Sequence, residues 1–138
     1  MALLPFPVQA LVGADTFFLP PGELPDAAQL RAFGHGRTVA LSDAAVGGRR
    51  RLRRNARLLG LEVVAEYAVL PSWGRATFVV EDEERTVRWL FSTIATVPPG
   101  VARGAGLLDL ALRLATATGA VRLVGHLVPG RLLLARLP

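Results

Sequence analysis

Apolar and polar residues follow two different periods in the middle of the chain, and each period predicts an element. Residues 37–43, RTVALSD, form an apolar run that ends on polar residues, which is typical of a buried strand. Further along, Leu52, Ala56 and Leu59 recur at the spacing of one helical face. Gly60 follows in the position of a left-handed C-terminal cap, so we expect the helix to end there.

A strand and an antiparallel partner are predicted next. Every second residue of 61–70 is apolar, which is the pattern of a strand with one apolar face. The predicted apolar face consists of Leu61, Val63, Ala65, Tyr67 and Val69. Residues 71–74, PSWG, have the composition of a turn, and residues 75–82, RATFVVED, are expected to return as the second strand of a hairpin.

Proline and glycine interrupt the amino-terminal part of the chain, residues 1–36, which has an irregular pattern. Within it, residues 15–20, DTFFLP, predict a short strand. Residues 25–33, PDAAQLRAF, predict a short helix, because Asp26 stands in the position of an N-cap directly after a proline.

Two further helices and a closing strand are expected in the second half of the chain. Residues 84–95 and 107–118 carry helical apolar stripes, and residues 131–137, RLLLARL, are typical of a strand. No internal repeat or low-complexity linker is present, so we expect a single domain over 1–138. The predicted fold class is α/β: a small mixed sheet with a parallel strand–helix–strand step, an antiparallel hairpin and two to three further helices.

The apolar content of the chain indicates a partner. Hydrophobic residues make up 51% of the sequence, yet no apolar run reaches the roughly 18 residues that a membrane-spanning helix needs. The excess apolar surface therefore favours a protein partner or a homo-oligomer, and not a membrane. The first fifteen residues lack the basic start of a secretion signal, so we expect a cytoplasmic protein.

Charge and cysteine content limit the kinds of partner and functional site that the sequence predicts. All 16 basic residues are arginine, which is typical of a GC-rich bacterial coding bias, so the net charge of +5 does not by itself indicate nucleic acid. The chain has no cysteine, which excludes disulfides, thiol nucleophiles and cysteine-ligated metals.

The predicted central helix is the strongest candidate for a binding surface. It carries Arg49, Arg50, Arg53, Arg54 and Arg57 outside its apolar stripe. Three interpretations apply: phosphate contacts to nucleic acid, docking of an acidic partner protein or peptide, or a surface helix whose arginine stems cover apolar neighbours. The apolar stripe and the glycine cap favour a packed helix over a nucleic-acid arm.

The predicted hairpin turn supplies two further candidate partner-binding residues. Trp73 stands in the turn and Arg75 follows directly after it, and an aromatic ring beside a cation can anchor a partner. The alternative is that the ring of Trp73 folds back onto the sheet.

No constellation of residues predicts catalysis, a metal or a cofactor. His35 and His126 are the two histidines of the chain, and the set Ser72, His126 and Asp109 has no supporting motif. A metal site is not predicted, because these histidines lie far apart and no HExxH motif accompanies them. Residues 100–106, GVARGAG, lack the spacing of a nucleotide-binding loop.

The order of these segments resembles the carboxy-terminal half of class I S-adenosylmethionine-dependent methyltransferase-like proteins from bacterial natural-product and glycan clusters. The resemblance covers residues 37–138 and lies in RTVALSD, GGRRRLRRNARLLG, LEVVAEYAVLPSWGRATFVVED and RLLLARLP. It implies a parallel strand and its helix, followed by an antiparallel hairpin that closes the sheet. The half of the family that binds the cofactor has no counterpart in the first 36 residues, so no catalytic or cofactor position carries over.

We therefore expect a methyltransferase-like remnant without catalysis. Its predicted function is that of an accessory or scaffolding subunit in a bacterial modification or secondary-metabolite enzyme complex. A peptide is a candidate substrate of that complex. The alternatives are a nucleic-acid-binding module that uses the arginine helix, and a small enzyme with a site near His35 or His126.

Overall fold

The chain is described by a computed structural model and forms two compact units. One unit comprises Met1–Glu81 with Val128–Pro138, and the other comprises Asp82–Leu127. The structure describes residues 4–70, 72–83, 85–86, 89–90, 114, 117–120, 126 and 128–138.

The first unit contains the sheet and the helices whose bounds the structure describes. In chain order these elements are α1 (Phe6–Gln9), β1 (Phe17–Leu19), α2 (Ala27–Phe33), β2 (Thr38–Asp43), α3 (Gly48–Leu58), β3 (Glu62–Leu70), a 3-10 turn (Trp73–Arg75), β4 (Phe78–Glu81) and β5 (Arg131–Arg136).

The five strands form one mixed sheet in the order β1-β2-β5-β3-β4. β1 runs parallel to β2, and every other neighbouring pair is antiparallel. β5 lies in the middle and pairs along its whole length with β2 on one side and with β3 on the other. The predicted α/β class, with a mixed sheet, a parallel step and a hairpin, is confirmed.

Two strand–helix–strand steps connect strands that run in the same direction. In the first, α2 joins β1 to β2, and the two strands are neighbours. In the second, which is the step predicted from sequence, α3 joins β2 to β3. These two strands run the same way because both are antiparallel to β5, but β5 separates them.

One face of the sheet, the helix face, is covered by α2 and α3. Strand residues alternate between the faces of a sheet, so Val39 and Leu41 of β2 share this face with Leu133 and Ala135 of β5. Its buried cluster is formed by Leu19, Leu30, Val39, Leu41, Leu52, Ala56, Leu61, Leu133, Ala135 and Leu137. The helices are therefore held by burial of their apolar stripes.

The opposite face, the amino-terminal face, is covered by α1 and by the hairpin turn. Its buried centre consists of Val8, Ala40, Val69 and Leu132. The rings of Phe18 and Trp73 stack against each other at this face, with centroids 6.0 Å apart and an interplanar angle of 7°. Residues from the proline-rich amino-terminal part thus cover this face of the sheet.

A β-bulge in β3 changes the predicted alternation of that strand. Val63 pairs with Ala135 and Ala65 pairs with Leu134, so Val64 is an extra residue without a partner in β5. The prediction that Val63 shares a face with Ala65 is wrong for this reason. The bulge places Val63 and Glu66 on the helix face, and it leaves Ala65 on the amino-terminal face.

The amino-terminal predictions of a short strand and a short helix are confirmed. β1 lies within residues 15–20, and α2 begins after Asp26. An Asp26 carboxylate oxygen accepts a hydrogen bond from the Ala28 amide at 3.3 Å, and the Gln29 side chain accepts one from the Asp26 amide at 3.4 Å. This reciprocal pair is a capping box, which satisfies amides that the first helical turn leaves unpaired.

Much of the second unit lies outside the described residues. The predicted helices over 84–95 and 107–118 and the glycine-rich segment 100–106 fall mostly or wholly there, and they stay predictions. The single-domain prediction also stays a prediction. Within the part of the chain that is described, no helix has the length and apolar character required to cross a membrane.

We expect Gly130→Ala to destabilise the fold strongly. Gly130 precedes β5 with φ +105°, and a Cβ atom there would lie 2.7 Å from the Val69 carbonyl oxygen and 3.0 Å from the Trp73 amide nitrogen. The cost of the left-handed backbone adds to this clash, so the free energy of unfolding should fall by roughly 3 kcal/mol or more. Urea denaturation of the full chain measures the change.

The matched control is Gly22→Ala, because Gly22 also has a positive φ, +87°, but nothing lies within 4 Å of its Cβ position. This variant should lose only the backbone cost of about 1–2 kcal/mol. Equal losses in the two variants would contradict the close approach at Gly130.

Candidate functional site

The arginine-rich helix α3 is fixed to the helix face by its apolar stripe and its C-terminal cap. Leu52 and Ala56 are buried and Leu59 is partly buried, so the predicted stripe is confirmed. The predicted cap is also confirmed, since Gly60 has φ +68°. The Gly60 amide donates to the Arg57 carbonyl and the Leu61 amide to the Ala56 carbonyl, the two hydrogen bonds of a Schellman motif.

Glu66 on β3 binds two of the predicted partner-binding arginines. Its carboxylate accepts hydrogen bonds from Nε of Arg49 at 3.0 Å and from Nε and Nη2 of Arg53, the latter at 3.0 Å. The Glu66 side chain is only 12% exposed. Because the bulge at Val64 directs Glu66 towards α3, this ion-pair cluster joins the helix to the β3 side of the sheet.

Asp43 at the end of β2 binds a third arginine. Its two carboxylate oxygens accept hydrogen bonds from Nε and Nη2 of Arg51 at 2.7 and 3.0 Å, the planar bidentate arrangement that suits arginine. One of them also accepts from the Ala45 amide at 2.8 Å. Gly48 permits this approach of helix and strand, since a Cβ atom there would lie 2.9 Å from the Asp43 side chain.

Both carboxylates are stabilised in their charged form. Burial by itself raises the pKa of Glu66, but hydrogen bonds and charge from Arg53 and Arg49 outweigh it and leave the pKa below its ordinary value. For Asp43, burial is likewise outweighed, by Arg51 and the Ala45 amide, and the pKa is again lowered. The two groups stay ionised at neutral pH and hold α3 from both sides.

The remaining arginines of α3 form the arginine stripe, which we define as Arg50, Arg54 and Arg57. All three are exposed, and none of their side chains makes a hydrogen bond or ion pair with any residue that the structure describes. Their spacing of four and three residues places them along one side of the helix over roughly 10 Å. The stripe is therefore a row of cations that the fold itself does not neutralise.

Trp73 and Arg75 lie apart from these arginines. Trp73 folds back onto the amino-terminal face, where it stacks on Phe18, which is the second of its two predicted alternatives. Arg75 is exposed at the end of the same 3-10 turn. Since α3 covers the opposite face of the sheet, the structure does not bring the seven predicted partner-binding residues into one site.

A cavity lies beside α3 at the carboxyl ends of the parallel strands β1 and β2. Its volume is about 480 Å³, within the range of roughly 300–1,000 Å³ typical of small-molecule sites. The lining comes from the loop after β1, the end of β2 with the loop that follows it, and α3: Gly22, Glu23, Leu24, Leu41, Ser42, Asp43, Ala45, Arg51, Leu52, Arg54 and Asn55.

The cavity is a feature that sequence reasoning missed. The Ser42 hydroxyl donates to the Leu19 carbonyl at 2.7 Å and ties the ends of β1 and β2 together beneath it. In open α/β sheets, ligands bind outside the carboxyl ends of the strands, and this cavity shares that position although α2 and α3 lie on one face of the sheet. The position of the cavity could not be predicted from the sequence, because nothing there indicates that β1 and β2 are neighbours.

The two histidines do not contribute to this cavity. His35 is exposed, and its Nδ1 lies within hydrogen-bond distance of the main-chain oxygen of Pro138. His126 is also exposed. Among the described residues, no group of three or more histidine, aspartate or glutamate side chains is arranged to hold a metal ion.

We expect Glu66→Gln to lower the free energy of unfolding at pH 7 by roughly 1.5–3 kcal/mol, because it removes the charge that two arginines share. The direction in which this stabilisation depends on pH follows from the lowered pKa of Glu66. The stabilisation is present above the unfolded-state value of about 4.3 and is lost as pH falls through the lower folded value. Denaturation from neutral pH downward should therefore show a flatter acid limb in the variant.

Glu62→Gln is the matched control on the same strand. Glu62 is exposed and lies on the amino-terminal face, so its replacement should change stability by less than about 0.5 kcal/mol. If the two variants had the same stability and the same acid limb, the role assigned to the Glu66 cluster would be wrong.

Comparison with known proteins yields no similarity from which a function can be transferred: no family profile, no characterised protein and no solved structure matches the chain.

Proposed function

We propose that this protein is a non-catalytic accessory subunit that binds an acidic surface of another protein through the arginine stripe of α3. The observation that carries the proposal is the division of the arginines on this helix. Arg49, Arg51 and Arg53 are matched by carboxylates of the sheet, whereas the stripe has no partner among the described residues. The helix is thus fixed in place with a row of cations facing outwards.

The chemistry of arginine favours carboxylates as the groups that the stripe binds. A guanidinium offers a planar set of donors that matches a carboxylate in two hydrogen bonds, and it is more weakly hydrated than an ammonium group. Because α3 is already formed and packed, binding orders the three arginine side chains but no further backbone. A protein segment rich in aspartate and glutamate is therefore the partner we infer.

The proposed setting is a bacterial modification or secondary-metabolite enzyme complex. It comes from the resemblance to methyltransferase-like proteins, which implies a strand, its helix and a hairpin that closes the sheet. β2, α3 and the β3–β4 hairpin follow in that order. The sheet contains one neighbouring parallel pair, β1 and β2, which is less than the several strand–helix units of the family's cofactor-binding half.

We expect the triple variant Arg50→Gln, Arg54→Gln and Arg57→Gln to lose the partner. Three exposed ion pairs at about 0.2–1 kcal/mol each correspond to a loss of affinity of roughly tenfold, with weaker dependence on salt. Tagged wild type and variant are purified side by side from the native host, co-purifying proteins are identified by mass spectrometry, and the Kd of each is measured by titration calorimetry.

A second triple variant with the same charge change serves as control: Arg31→Gln, Arg85→Gln and Arg136→Gln, all exposed positions outside α3. The partner should stay bound to it. Equal binding to both triple variants contradicts the proposal. Binding of a DNA or RNA oligonucleotide with a steep salt slope that only the stripe variant loses would replace it with the nucleic-acid alternative.

A further inference from the structure

The cavity beside α3 has a distribution of charge that points to a particular class of ligand. Four charged side chains line it: Glu23, Asp43, Arg51 and Arg54. Asp43 and Arg51 bind each other through two hydrogen bonds, so their charges cancel within the wall. What remains available is one carboxylate, on Glu23, and one guanidinium, on Arg54.

These two groups belong to different walls and do not neutralise each other. Glu23 lies in the loop after β1, and Arg54 lies on α3. Both are exposed, and neither side chain makes a hydrogen bond or ion pair with a described residue. The Asn55 side chain, next to Arg54, is likewise without a hydrogen bond and adds an amide donor to the α3 wall.

The charges argue against a simple ion. An inorganic anion bound at Arg54 would leave the carboxylate of Glu23 without a counter-charge, while a simple cation bound at Glu23 would leave the guanidinium of Arg54 without one. A molecule with both an ammonium and a carboxylate group can satisfy both walls at once. The apolar part of the lining, Leu24, Leu41 and Leu52, suits an aliphatic side chain between them.

We propose that this cavity binds a free α-amino acid with an aliphatic side chain. Its carboxylate accepts hydrogen bonds from Arg54 and Asn55, its ammonium group donates to Glu23, and its side chain packs against Leu24 at the mouth of the cavity. This site goes beyond the association proposed above and shares only Arg54 with the arginine stripe.

The test uses L-leucine and two matched probes that each lack one charged group: 4-methylpentanoate, without the ammonium, and 3-methylbutylamine, without the carboxylate. Binding to the full chain is followed by calorimetry and by amide chemical shifts. We expect leucine to bind at least roughly tenfold more tightly than either probe. The shift changes should centre on residues 22–24 and 51–55.

Two variants test the two walls. Glu23→Gln should weaken leucine roughly tenfold and leave 4-methylpentanoate unchanged, whereas Arg54→Gln should weaken leucine and 4-methylpentanoate but not 3-methylbutylamine. The double variant Arg50→Gln and Arg57→Gln, outside the cavity, should bind leucine as the wild type does. It should nevertheless bind the protein partner more weakly, so failure of one proposal is distinguishable from failure of the other.

Two results would overturn the inference. The first is the absence of binding of leucine, isoleucine, valine and alanine to the wild type at millimolar concentration. The second is equal affinity for leucine and 4-methylpentanoate together with no effect of Glu23→Gln, which would define a plain carboxylate site.

Discussion

The antiparallel pairing of β5 with both β2 and β3 is the interaction on which the remaining structure depends. β2 and β3 do not touch each other as neighbours, so their facing backbone groups are satisfied by β5 alone. α3 connects these two strands and packs across all three. The position of the arginine-rich helix is therefore set by a strand that follows it by more than seventy residues in the chain.

Two carboxylates then reinforce the orientation of α3 about its own axis. Asp43 holds the helix from the β2 side through Arg51, and Glu66 holds it from the β3 side through Arg49 and Arg53. Burial of the apolar stripe fixes which side faces the sheet, and the ion pairs resist rotation in either direction. The outward row of arginines and the wall of the cavity are both products of this single orientation.

Local patterns in the sequence predicted the elements well, because periodicity and capping act over a few residues. β2, the α3 stripe with Gly60 and the β3–β4 hairpin all follow from such patterns. The place of β5 between two strands did not, since it depends on pairing between distant segments. For the candidate site, the helix and its arginines were predictable. Which of them bind carboxylates was not, because the face on which Glu66 lies depends on the bulge and on the pairing of β3 with β5.

The bulge at Val64 has a consequence for how β3 tolerates change. Side chains along a strand point alternately to the two faces of the sheet. The extra residue interrupts this alternation and places Val63 and Ala65 on opposite faces. Deleting Val64 would leave Val63 opposite Ala135 and Ala65 opposite Leu134, so Val63 and Glu66 would both keep their present face of the sheet. The first half of β3 should therefore tolerate loss of this one residue, because Val64 adds to the length of the strand and not to its pairing with β5.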